Sequence, residues 1–171
     1  MNVQHSSRTD EWGTPGYILT MAKQVLGRID LDPASSEEFN RTVQARTYLT
    51  KADNGLSCPW PVGCTVWLNP PGGKLGNRSM SQLFWDRLIR HPFSHAIYMG
   101  FSLEQLQTTQ RSSKSIMDFT FCVPRKRICF VDAQGRPGPA PSHSNVIVYL
   151  PGSLDRTELF RKVFAELGAV R

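Results

Sequence analysis

Residues 64–74 read Cys-Thr-Val-Trp-Leu-Asn-Pro-Pro-Gly-Gly-Lys, an apolar run that stops at Asn69-Pro70-Pro71 and then loosens into glycine. Val66, Trp67 and Leu68 have the character of a short buried strand, and no backbone carries a ladder through two consecutive prolines. The strand must therefore end at Asn69. An Asn at a strand's carboxyl end, followed by a rigid Pro-Pro turn, fixes a side-chain carbonyl and the next backbone carbonyls at the sheet edge where α/β proteins place ligands. This makes an acceptor cluster suited to an exocyclic amine. Asn and Pro are also common turn formers, so the motif gains meaning only from the rest of the chain.

Two other acceptor-rich turns follow strand candidates. Ile29-Asp30-Leu31-Asp32 alternates and ends in Pro33-Ala34-Ser35-Ser36, where a serine can cap a short helix carrying Glu37 and Glu38 in its first turn. The segment 45–50 reads as a brief strand before the Asp53-Asn54-Gly55 turn. If these strands are parallel to the one ending at Asn69, Asp32, Asp53 and Asn69 share one carboxyl edge. An acid there accepts from a ribose hydroxyl or an adenine amine. Neither a P-loop nor G-x-G-x-x-G is present, which removes the main support for an ATPase or nicotinamide enzyme.

Thr14-Pro15 has the form of a helix start, with Thr as N-cap, and Gly27 of a stop. Residues 72–78 read as a loop of little internal constraint, and Ser79 as the cap of a helix whose face holds Leu83, Phe84, Leu88 and Ile89. A strand over 94–101 and a polar helix over 103–110 come next. Strands are then expected at 119–123, 127–131 and 145–150, the first two joined as a tight hairpin and the last two separated by a proline-rich exposed loop. A helix over 155–167 and a short tail complete the chain. Alternating helices and strands with an antiparallel end predict a mixed, largely parallel sheet flanked by helices.

At 171 residues the chain suits one domain, with residues 1–10 a flexible polar arm and 11–171 the folded unit. No apolar run approaches the roughly 18 residues of a membrane span, and the polar start lacks the core of a signal peptide, so a cytoplasmic protein is expected. Twenty Lys and Arg against 14 Asp and Glu give a net charge of +6, which favours a polyanionic partner. Cys58, Cys64, Cys122 and Cys129 lack C-x-x-C spacing and read as small buried hydrophobes; no metal is expected.

Taken in order, Glu11-Trp12-x-Thr14-Pro15, Gly27-x-Ile29-Asp30-Leu31-Asp32-Pro33-Ala34-Ser35, Tyr48-x-Thr50-x-x-Asp53-Asn54-Gly55-Leu56, Trp60, Val66 to Pro71, Arg127-Ile128-x-Phe130 and Val148-Tyr149 span nearly the whole chain. Together they resemble the phage-type DNA N-6-adenine methyltransferases, small class I enzymes that use S-adenosylmethionine. The resemblance implies a Rossmann-like single domain and a phage or prophage setting in which methylation accompanies restriction–modification. It also implies that Trp12, Thr14 and Pro15 meet the methionine end of the cofactor, that Asp32, Pro33, Ala34 and Ser35 form its turn, and that Asp53 receives its adenine. Asn69, Pro70 and Pro71 stand in the catalytic motif, with Asn69 also beside the cofactor. Transfer to RNA or to a protein amide, or an inert DNA-binding descendant, are the alternative readings.

Two departures from the family pattern matter. Serines replace the glycine-rich cofactor loop, and Gly72 stands where an aromatic ring would stack on the target base. Phe130 or Trp12 is expected to supply that ring. Double-stranded DNA is the expected partner of a monomer or homodimer, held through Lys74, Arg78, Arg125, Lys126, Arg127 and Arg136. The loops at 72–82 and 132–144 have room to read sequence.

Overall fold

In the computed structural model, residues 12–101, 103–139 and 141–171 are described. The expected arm at 1–10 lies outside them.

Helix α1 (Gly16–Leu26) buries Ile18, Leu19, Ala22, Val25 and Leu26 along one stripe and stops at Gly27, whose φ of 78° suits a residue without Cβ. Its N-cap is Pro15 rather than Thr14, and no side chain caps it. Thr14 has another partner, described below. Strand β1 (Leu31–Asp32) leads into α2 (Glu37–Val43), and here the cap is Ser36, whose hydroxyl accepts from the Phe39 N–H. Next come β2 (Thr47–Tyr48) and β3 (Thr65–Leu68), the latter buried at every position and ending before Asn69 as the prolines require.

The segment after the prolines is not an unconstrained loop. Lys74–Leu75 (β4) and Arg78–Ser79 (β5) pair antiparallel across Gly76-Asn77, a hairpin that positive φ at Gly76 permits. Helix α3 (Met80–Arg90) follows, capped by Ser79, and buries Phe84, Trp85 and Leu88; its face is turned toward Trp85, leaving Leu83 and Ile89 half-buried. Strand β6 (His95–Gly100) is wholly buried, and the polar segment after it forms only a short helix, α4 (Glu104–Thr108), before a 3-10 turn.

Strand β7 (Thr120–Pro124) departs from expectation in its partners. Residues 127–131 do not return as a hairpin; the chain there is extended, with only Val131 making bridges, to Gly13 and Pro137. Instead β7 pairs with β8 (Val146–Pro151) and with β9 (Gly168–Val170). The expected tail is thus an edge strand, delivered by α5 (Thr157–Phe164). A two-residue turn could not satisfy β7 on both sides, whereas these partners do.

The main sheet has the order β2-β1-β3-β6-β8-β7-β9. Strands β2, β1, β3 and β6 pair parallel, and β8 and β9 run against their neighbours. This is the mixed sheet with an antiparallel end that the pattern of elements implies. Alternation along β3 splits the core in two: Trp67 faces α1 and α5 with Ile97, Tyr149 and Phe160, while Val66 and Leu68 face α3 with Phe84, Trp85 and Leu88. None of the helices described is long and apolar enough to cross a membrane.

Candidate active site

Because β2, β1 and β3 are adjacent and parallel, the turns holding Asp53, Asp32 and Asn69 emerge on one edge. The helix before β1 runs back across the sheet, so the start of α1 reaches the same edge. The contact is direct, with the Asn69 Nδ2 donating to Thr14 Oγ1 at 3.1 Å. This occupies the nitrogen end of the amide. Asn69 Oδ1 is buried and has no partner, so the side chain presents a fixed, unsatisfied acceptor at the end of β3. Pro70 is buried behind it and Pro71 exposed.

Asp32 is 3% exposed. Its carboxylate accepts from the Ala34 N–H at 3.2 Å, an Asx turn that Pro33 stiffens. Burial pushes the Asp32 carboxyl up to about 7, against the opposing pull of the Ala34 N–H and of the Ser35 hydroxyl nearby. Ser35 Oγ completes no hydrogen bond of normal geometry and is itself a buried orphan. The turn is knitted to its neighbour, with Leu49 N–H on Asp32 O and Ser35 N–H on Leu49 O, both at 2.9 Å. Gly55 closes the arrangement, since a Cβ there would sit 1.9 Å from Pro33 O.

Asp53 lies on the exposed turn after β2. Its Oδ2 takes the Thr50 hydroxyl at 2.7 Å and the Thr50 N–H at 2.8 Å, which hold the carboxyl below its usual range. No donor among the described residues reaches Oδ1. The following connector is fixed by the Trp60 indole on Gly55 O and by Arg87 on the carbonyls of Leu56 and Cys58.

A pocket of about 140 Å³ opens further along this edge, past the end of β6, lined by Trp12, Phe101, Phe130, Gly138, His143 and Asn145 among others. Phe130 stacks on Phe101, centroids 5.2 Å apart and planes 17° from parallel, and Trp12 packs over Gly138, where a Cβ would meet its ring at 2.5 Å. Asn145 has no role in the reading from sequence, where Phe101 is one of the edge aromatics and is as easily explained as core. Asn145 is 2% exposed, donates through Nδ2 to Gly100 O and leaves Oδ1 buried without a partner. Its position just before an apolar strand was a signal of the same kind as Asn69 after one. Phe101 follows a buried strand and reads as core from sequence.

The basic residues divide. Arg78 is paired with the buried Asp86, Arg125 bonds the carbonyls of Ala165 and Glu166, Arg127 bonds Pro141 O, and Arg136 is held by Asp132 and Gln134. Arg78 is consequently a structural anchor first, which its sequence neighbourhood of glycine and asparagine did not suggest. Lys74 and Lys126 have no ion-pair partner among the described residues.

An edge of parallel strands bearing a buried acid, a serine turn and an Asn-Pro-Pro acceptor is the candidate site of this sheet. The fold agrees: a solved structure from Listeria monocytogenes, assigned as a class I S-adenosylmethionine-dependent methyltransferase, superposes with a TM-score of 0.53 at 10% identity over 89% of this chain. This chain spans 64% of that one. The model of the DNA N-6-adenine-methyltransferase (Dam) family matches residues 2–136, and the chain belongs to that family. No curated protein matches the chain in sequence.

Proposed function

We propose that this chain transfers the methyl group of S-adenosylmethionine to N6 of an adenine flipped out of duplex DNA, with Asn69 as the acceptor that activates the amine. The observation that carries this is the Asn69 amide, its nitrogen committed to Thr14 and its buried oxygen unpartnered.

The residues of the edge fit the cofactor. Asp32, buried with a single hydrogen-bond donor of normal geometry, and the orphaned Ser35 hydroxyl call for polar ligand groups, and Asp53 offers a free Oδ1. Thr14, Pro15, Pro33 and Ala34 complete the surface between them, and Trp12, against Gly138, meets the methionine end. When bound there, S-adenosylmethionine supplies an electrophilic methyl on a sulfonium.

Adenine N6 is a poor nucleophile because its lone pair is delocalised into the ring. Accepting its hydrogens on Asn69 Oδ1 and the Pro70 carbonyl draws the nitrogen toward tetrahedral geometry and frees the lone pair. No strong base is needed at that point. Alignment of nitrogen and methyl by this rigid turn supplies a proximity term of roughly several kcal/mol. Phe130 and Trp12 provide π-faces for the flipped ring in the adjacent pocket. Lys74, Lys126 and the exposed Arg125, Arg127 and Arg136 meet the phosphates, with Arg78 acting through the hairpin it anchors.

The enzyme is read as a single methyltransferase unit over residues 11–171, working as a monomer or homodimer in the cytoplasm, in a phage or prophage context of restriction–modification. Labelled S-adenosylmethionine incubated with unmethylated DNA tests the reaction. Label recovered as N6-methyladenine is expected; cofactor binding without transfer to DNA would point to an inert descendant or to another acceptor.

A further inference from the structure

The hairpin β4–β5 follows Pro71 by only two glycines, and its Leu75 is 62% exposed. The backbone around this largely exposed apolar side chain is open, since a Cβ at Gly72, Gly73 or Gly76 would meet nothing within 4 Å. The hairpin is nevertheless held at both ends. Arg78, the cross-strand partner of Leu75, pairs with the buried Asp86, which also accepts from Ser112, and the Met80 N–H bonds Gly73 O at 3.0 Å. A buried carboxylate thus anchors, through the half-exposed Arg78, a hairpin that presents a leucine to solvent. Four residues of chain keep Leu75 within about 14 Å of Pro71.

We propose that Leu75 is an intercalating wedge, which enters the duplex beside the target adenine and fills the space that the flipped base vacates. This rests on the DNA reading above. Apolar side chains inserted between base steps offset the unstacking that extrusion demands, and Lys74 beside Leu75 suits the approach to a phosphate backbone. A rigid base with an open tip meets that need, because a tip that folded away on contact could not hold the gap open. A leucine displayed for a protein partner would carry no dependence on base pairing.

The test compares Leu75→Ala with wild type on three DNA substrates of one sequence: a paired duplex, the single strand, and a duplex mismatched at the target adenine. Leu75→Ala is expected to lower kcat/KM on the paired duplex by roughly tenfold or more, with less than about twofold change on the other two. Leu75→Met should restore duplex activity. With 2-aminopurine at the target position, the fluorescence rise on binding should shrink in Leu75→Ala. Equal losses on all three substrates, or none on the duplex, would overturn the wedge while leaving the methyltransferase reading intact. A wild-type protein that methylates none of the three overturns both.

Discussion

Around Asp32 and Asp53 the sheet edge is knitted backbone to backbone. Leu49, Ser35 and the Pro33–Gly55 approach lock two turns together, and Thr50 closes a ring with Asp53. Around Phe101 and Phe130 the same edge is assembled from long connections: between β7 and β8 the described residues make no ladder beyond the Val131 bridges. The first region has its polar partners already placed; the second offers aromatic rings, prolines and an open pocket. A cofactor of constant shape rewards preorganised turns, whereas a duplex that must be opened rewards surfaces able to follow it. Asn69 stands at the boundary, its nitrogen pinned by Thr14 and its buried oxygen unpartnered.

The largest effect is expected at that boundary. Asn69→Ala removes an acceptor that acts on the transition state, so methyl transfer should fall by roughly 100-fold or more while S-adenosylmethionine affinity stays within a few-fold. Retention of half the activity would take Asn69 out of the chemistry. Loss of cofactor affinity of the same size would make it part of the rigid half.

Asp32 tests the rigid half. Its carboxyl is raised to about 7 in the folded chain, from about 4 when unfolded. The sign is that of an acid whose charge is disfavoured by folding: the penalty is absent below pH 4, grows as pH rises and is complete above about 7. Asp32→Asn should therefore melt close to wild type below pH 4 and higher than wild type at pH 8. Cofactor binding runs the other way, because a ribose hydroxyl or amine donates to the ionised form. Wild-type affinity should weaken as pH falls below about 7, and Asp32→Asn should bind roughly tenfold more weakly at pH 8 without that slope. Calorimetry across pH 6 to 8 reads both. A flat wild-type profile would place the cofactor elsewhere.

Phe130 probes the adaptable half, and a smaller loss is expected. One face of its ring is already covered by Phe101, and it packs against the core beside α1. Phe130→Leu keeps most of the apolar volume and removes the ring, so activity on duplex DNA should drop several-fold with little change in melting. A collapse of stability with full activity in the folded fraction would make Phe130 packing alone.

The same contrast explains what could be read in the sequence. Pro70-Pro71 ends β3 by covalent geometry, Ser36 and Ser79 cap their helices through their own hydroxyls, and Asp-Asn-Gly turns because Asn54 accepts a positive φ. These are local causes, and the Asp32–Asp53 side of the edge is made of them. The hairpin assigned to 127–131 failed because strand pairing is settled at long range: β7 is satisfied by β8 and by a strand some 45 residues downstream, which no local pattern announces. Thr14 shows the same limit within the site. Its place before Pro15 has the form of a cap, yet its hydroxyl serves Asn69, 55 residues away. Arg78 likewise reads as a free cation until Asp86 appears beside it.

The smallest expected effect concerns the charges on the DNA side. Lys126 follows the end of β7 at the site edge, exposed and without an ion-pair partner among the described residues. Arg136 is equally exposed, but Asp132 Oδ2 lies 2.8 Å from its Nε and Gln134 Oε1 2.9 Å from its Nη2. A phosphate must compete for Arg136 and need not compete for Lys126. Each phosphate contact releases counterions, so its loss lowers the slope of log affinity against log salt by about 1. Lys126→Ala should show that change and a few-fold weaker binding at low salt, uniform across sequences. Arg136→Ala should change the slope by clearly less, since its charge is already balanced by Asp132, and should instead loosen the 132–136 turn that its side chain closes. Binding isotherms at several salt concentrations separate the two. If Arg136→Ala has the larger slope change, its ion pair opens on binding, and the loop belongs to the adaptable half more fully than its hydrogen bonds suggest.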